Sequence, residues 1–165
     1  MTPLTKDDGM ARILILGYGN PLRSDDGLGW RAAEELSRTL SSADVDILAR
    51  HQLTPELAGP LSQAATVFFI DASREGEPGE LSCVPVTPQA SGAGFSHQLS
   101  PAAVLALSQL LFGTSPRAFL VSLCGQNFDH GENLSPPVAA GLPRLTALVG
   151  QLVQHLGQQQ AVRSR

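Results

Sequence analysis

Cysteine is scarce in this chain: Cys83 and Cys124 are the only two, and neither lies in a CxxC pair or a Cys-His cluster. Two thiols in a chain without an export signal are expected to be reduced. Long apolar runs are also missing. None approaches the roughly 18 residues of a membrane span, and the first ten residues hold no apolar core of a secretory signal, so a cytoplasmic protein with no membrane partner is expected. Charge is sparse, with 16% charged residues and a net charge of -4. Lys and Arg do not cluster, which argues against nucleic acid as a partner. A basic protein partner stays open, and a monomer is expected. The chain has no GxSxG elbow, no GxxxxGK[ST] loop and no HExxH helix. Cys83, on an expected edge strand with no base nearby in sequence, is a poor nucleophile.

At 165 residues and 42% hydrophobic, the chain fits one domain, since domains most often run roughly 100 to 150 residues. Residues 10–157 are expected to form it, with loose ends at 1–9 and 158–165. Strands are expected over 12–16, 45–49, 66–70 and 118–123, and helices over 29–40, 55–61, 101–112 and from Pro136 to about Leu156. Residues 80–86 alternate and carry prolines nearby, as an edge strand does. Residues 87–97, rich in Gly, Ser and Ala, read as a mobile loop. Strand and helix alternate almost throughout. The expected fold is therefore α/β, a single doubly wound, mainly parallel twisted sheet with helices on both faces.

The most informative stretch is ILILGYGNPLRSDDGLG, residues 13–29. A buried parallel strand that stops at Gly-x-Gly delivers the next residues to the carboxyl edge of the sheet, where open α/β sheets bind ligands. Those residues are Asn20, then Asp25 and Asp26 beside Gly27 and Gly29: hard oxygen groups and bare backbone, suited to a metal or cation. A dinucleotide fingerprint fails twice, with Leu22 where its third glycine belongs and Ala49 and Arg50 where its acid belongs. Asp71 comes directly after the third expected strand. In a sheet of order 2-1-3 the first and third strands are neighbours and their chains leave in opposite directions, so Asp26 and Asp71 would face one crevice. Plain helix capping is the competing reading for Asp25 and Asp26, and a turn for Asp71. His97, just before the Ser100 and Pro101 helix start, can complete an oxygen, oxygen, nitrogen set that many divalent ions accept. His51 and His130, in expected loops, are its rivals. His155 is read as a helix C-terminal partner.

Four ordered segments, GYGNPLRSDDGLG (17–29), HQLTPELA (51–58), FFIDAS (68–73) and SHQLSP (96–101), resemble those of the nickel-iron hydrogenase maturation endopeptidases. The first two look most like the branch serving bidirectional, NAD-linked hydrogenases. The resemblance implies an endopeptidase that trims the C-terminal extension of the hydrogenase large-subunit precursor after nickel insertion. It puts the metal-contacting acid on Asp26, the second acid on Asp71 and the histidine on His97, all three acting in catalysis and metal contact. Relatives often carry glutamate at the position of Asp26. It further implies nickel carried by the substrate and no permanent cofactor, with Asp25 a cap or a supporting group. Two alternatives compete: a hydrolase with its own zinc or manganese acting on a small peptide or amide, and a flavodoxin-like binding module whose acids only cap helices.

Overall fold

The computed structural model describes residues 12–90, 98–163 and 165. In chain order the strands are β1 (Ile13–Tyr18), β2 (Val45–Arg50), β3 (Thr66–Ser73), β4 (Leu81–Val86) and β5 (Arg117–Cys124). The helices are α1 (Leu28–Thr39), α2 (Ala58–Gln63), α3 (Pro101–Phe112) and α4 (Pro136–Arg163), with 3-10 turns at Ser24–Gly27 and Pro55–Leu57. The sheet order is β2-β1-β3-β5-β4. The first four of these are parallel, and β4 closes one edge antiparallel to β5.

The alternation of side chains along ILIL in β1 explains why both faces of the sheet are covered. Ile13 and Ile15 face a core completed by Leu28, Ala32 and Leu36 of α1 and by Val138, Leu145 and Val149 of α4. Leu14 and Leu16 face the other, with Leu57, Leu61 of α2 and Val104, Leu105 of α3. Truncating one such leucine to alanine costs about 2–5 kcal/mol.

The local signals for α3 hold. Ser100 Oγ accepts from the Ala103 N–H at 3.1 Å, Pro101 occupies the first turn, and Gly113 ends the helix in the left-handed region at φ 73°. Thr54 takes the N-cap position of the turn before α2 but makes no side-chain capping bond.

Three of the boundaries that differ from expectation have a clear physical reason. β1 runs through Gly17 to Tyr18, because Gly17 is paired with Ala49 on one side and Ile70 on the other. β3 continues past Ile70 to Ser73, as Asp71, Ala72 and Ser73 pair with Ser122, Leu123 and Cys124. α4 runs on to Arg163 rather than ending near Leu156 in a loose tail. One glycine, Gly157, costs a helix about 1 kcal/mol, and the Gln and Ala residues after it sustain helix. The expectations for residues 1–9 lie outside the described residues, as do those for 91–97.

Candidate active site

β1 and β3 are neighbours, and they part company at their carboxyl ends. The last β1–β3 pair is Gly17 with Ile70. Beyond it β1 turns away at Gly19 while β3 pairs with β5 alone, so the two chains part at the sheet's carboxyl edge, as they do at the crevice of an open α/β sheet. Asp71 therefore lies inside β3, not just past it as expected, yet it stands beyond the reach of β1. Asp26 approaches from the other wall, in the turn before α1.

The wall itself depends on glycines. Gly19 has φ 135°, and a Cβ there would collide with the Asp26 carbonyl oxygen. At Gly29 a Cβ would sit 2.7 Å from the Ile70 carbonyl oxygen and closer still to the Tyr18 amide nitrogen. Bare backbone at these positions lets the start of α1 press against the ends of β1 and β3, which sets Asp26 against the crevice.

Asp26 is half-buried and accepts a hydrogen bond on Oδ2 from the Asn20 N–H at 2.8 Å, while Asn20 Oδ1 accepts from the Leu22 N–H at 2.9 Å. Its Oδ1 has no hydrogen-bond partner among the described residues. Asp71 accepts from the Ala72 N–H at 2.8 Å, and the Tyr18 hydroxyl lies near enough to favour its charged form. Burial is the largest influence on Asp71. Together with the nearby charge of Asp26 it raises the carboxyl to about 7, against the lowering effects of the Ala72 amide, the Tyr18 hydroxyl and Arg74. Burial, with Asp71 and Asp26 close by, likewise raises the Tyr18 hydroxyl above its ordinary range. Asp26 thus lies close enough to both Asp71 and the Tyr18 phenol for its charge to act on them.

Asp25 does something else. The N-cap of α1 is Gly27, with no side-chain bond, so capping by Asp25 is overturned. Its side chain is fully buried and accepts from Gln126 N–H (2.8 Å), Asn127 N–H (2.9 Å), Ser135 N–H (2.7 Å) and Ser135 Oγ–H (2.8 Å). Burial pushes its carboxyl up, but these bonds outweigh it and the net position is below the ordinary value. Asp25 thus ties the site loop to the 125–135 segment. Ser24, at φ 52° in the left-handed region, adds a bond from Oγ to the Asp129 carbonyl at 2.8 Å.

His97 lies outside the described residues. Its rivals do not enter the crevice contacts. His51 is exposed and packs edge-on against Trp30 at 5.2 Å, and His130 is exposed beside Ser24 and Asn127. His155 is not at a helix end, since α4 continues for eight more residues; it lies 3.0 Å from Gln159 Nε2. Cys83 is exposed on β4 and Cys124 is buried, both as free thiols. Among the described residues no group of three His, Cys, Asp or Glu side chains could hold a metal ion.

Tyr18 is a site residue that local sequence does not single out. Its signal is its place at the end of a buried strand, facing the same core as Phe69, whose ring it meets edge-on at 6.5 Å. Arg74, whose guanidinium lies 3.9 Å from the Phe128 ring centroid, is another. Nothing in local spacing announces that contact.

An α/β fold with a mainly parallel five-stranded sheet and two neighbouring carboxylates near its carboxyl edge is the class these features define. No model of a known protein family matches the chain. The hydrogenase expression/formation protein HupD of Bradyrhizobium diazoefficiens is 36% identical over 135 residues, covering 77% of this chain and 70% of HupD. The hydrogenase maturating endopeptidase HybD of E. coli superposes with a TM-score of 0.73 at 25% identity, covering 88% of this chain and 94% of HybD. The [NiFe] hydrogenase maturation protease HycI of Thermococcus kodakarensis gives 0.71 at 26% identity, covering 88% and 94%. The chain belongs to the hydrogenase maturation endopeptidase family and is a peptidase. That membership removes the flavodoxin-like binding module. Among the described residues, no helix is long and apolar enough to cross a membrane.

Proposed function

We propose that this endopeptidase removes the C-terminal extension of a nickel-iron hydrogenase large-subunit precursor after nickel insertion, and that it recognises the nickel already held by that precursor. What supports the reading is that Asp71, just beyond the last β1–β3 pair, lies close enough to Asp26 for that carboxylate's charge to act on it. With His97 they supply two carboxylates and an imidazole but no thiolate. Such a set is open and incomplete for nickel, which keeps its cysteine ligands in the substrate. The wording of residues 17–29 and 51–58 supports a substrate from the bidirectional, NAD-linked branch.

Within this reading Asp26 offers a free carboxylate oxygen to the metal of the substrate. Asp71, at about 7, is poised to take or return a proton near neutral pH, and the Ala72 N–H orients its carboxylate. Nickel brought by the precursor would be met by Asp26, Asp71 and His97 and would supply Lewis-acid chemistry at the scissile bond. Asp26→Asn and His97→Ala should each abolish the size shift of the large subunit that marks removal of its extension. Full activity in either variant removes that residue from the site.

A further inference from the structure

β2 is an open edge of the sheet, with β1 its one partner strand among the described residues. In this ladder the Ile13 N–H donates to the Asp44 carbonyl and the Gly19 N–H to the Arg50 carbonyl. Even-numbered residues of β2 therefore turn their peptide groups to β1, and Val45, Ile47 and Ala49 turn theirs outward. Val45 N–H is taken by the Ser42 carbonyl, and the Ala49 carbonyl by the Arg50 guanidinium at 2.8 Å. Among the described residues, both peptide groups of Ile47 and the N–H of Ala49 remain unpaired. The other edge differs: β4 carries Pro85, which lacks an N–H and blunts strand addition. β2 has no proline.

This edge is continuous with the site. Trp30 Nε1 donates to the Gly19 carbonyl at 2.8 Å and lies 3.1 Å from the Arg50 carbonyl, so one indole fastens the carboxyl end of β2 to the glycine turn. His51 packs against the same ring. A strand added outside β2 would lie about 10 Å from β1, two strand spacings from the chain that carries the site loop. Towards its amino end β2 borders a cleft of about 400 Å³, walled by Asp46, Leu48, Gly59, Pro60 and Gln63.

We propose that the β2 edge receives the peptide extension of the precursor as an added β-strand. The chain leaves the scissile bond at the Asp26 and Asp71 crevice, turns past Trp30 and His51, and hydrogen-bonds to Ile47 and Ala49. An apolar side chain enters the cleft beside Leu48 and Pro60. Main-chain pairing supplies the affinity and the cleft the selectivity, as in other cases of strand addition. Arg50 releases the Ala49 carbonyl on docking. This assignment rests on the endopeptidase reading above.

The test is amide exchange by NMR on the full chain, with and without a synthetic peptide that carries the extension sequence of the same organism's large subunit. Exchange at Ile47 and Ala49 should slow by roughly tenfold or more with peptide. In kinetics on the whole precursor, Ala49→Pro, which deletes the outward N–H, should raise KM roughly tenfold with kcat kept. Gly59→Leu guards against misfolding: Gly59 is in helix α2 and lines the cleft, and an added Cβ there meets nothing within 4 Å, so the larger side chain has room to extend into the cleft. It should raise KM in the same way. Unchanged exchange at saturating peptide, in enzyme that still cleaves the precursor, overturns the edge assignment and leaves the endopeptidase reading standing. Protection present without peptide and rising with protein concentration gives the edge to a second copy and also overturns it. Wild-type enzyme that leaves the precursor uncut removes the endopeptidase reading and this inference together.

Discussion

Asp25 and Asp26 are neighbours in sequence that serve opposite purposes: Asp25 is sealed beneath the site loop by four hydrogen bonds, whereas Asp26 faces the crevice with one oxygen free of any partner among the described residues. One is structural support and the other chemistry. The turn between β1 and α1 is rigid because its first aspartate is spent on holding it.

Asp25→Asn should therefore be strongly destabilising. An amide nitrogen would face N–H and O–H donors that need an acceptor, and the cost of such a mismatch is about 2–4 kcal/mol for a buried charged acceptor. The carboxyl lies below its ordinary value of 3.8 in the folded chain, so its contribution is present above that value and is lost as pH falls through the folded pKa. Urea unfolding at pH 7 should show the deficit in the variant, and the gap should narrow under strong acid.

Asp26→Asn should leave stability within about 1 kcal/mol of wild type, because the amide oxygen can still accept from Asn20. Cleavage should fall by roughly 100-fold or more, since the charge is removed at constant size. Melting curves and precursor cleavage on the same preparations separate the two effects.

Asp71→Asn should stabilise the protein at alkaline pH. The folded carboxyl sits at about 7 against 3.8 in its ordinary state. Between those values the folded chain holds a proton that the unfolded chain has lost, so Asp71 makes stability fall as pH rises towards 7. At pH 8 the variant should gain on the order of 4 kcal/mol, and near pH 4 the difference should nearly vanish. Denaturation across that range checks the sign; a variant less stable at pH 8 contradicts it.

Gly29→Ala should cost about 2–4 kcal/mol, since its Cβ would meet backbone atoms of Tyr18 and Ile70 that cannot move aside. A melting temperature unchanged from wild type would show that α1 is free to shift.

The sheet was legible, and the two carboxylates stood out as candidates, because these signals are local. ILIL and TVFFI are short buried runs ended by residues that leave the sheet, and the neighbouring order of β1 and β3 puts Asp26 beside Asp71. The role of Asp25 was not legible: its partners Gln126, Asn127 and Ser135 lie more than 100 residues away, and nothing near Asp25 names them. The extension of β3 escaped notice because Asp, Ala and Ser are weak strand formers, and pairing with β5 overrides that weakness. The polar residues after Gly157 read as a loose end, yet Gln and Ala are good helix formers and carry α4 to Arg163.

The most direct test of metal-gated processing compares one large-subunit precursor prepared with nickel and without it, each incubated with the purified enzyme and followed by the size shift on loss of the extension. Processing of the nickel-loaded precursor alone is the predicted result. Equal processing of both would contradict recognition through the metal.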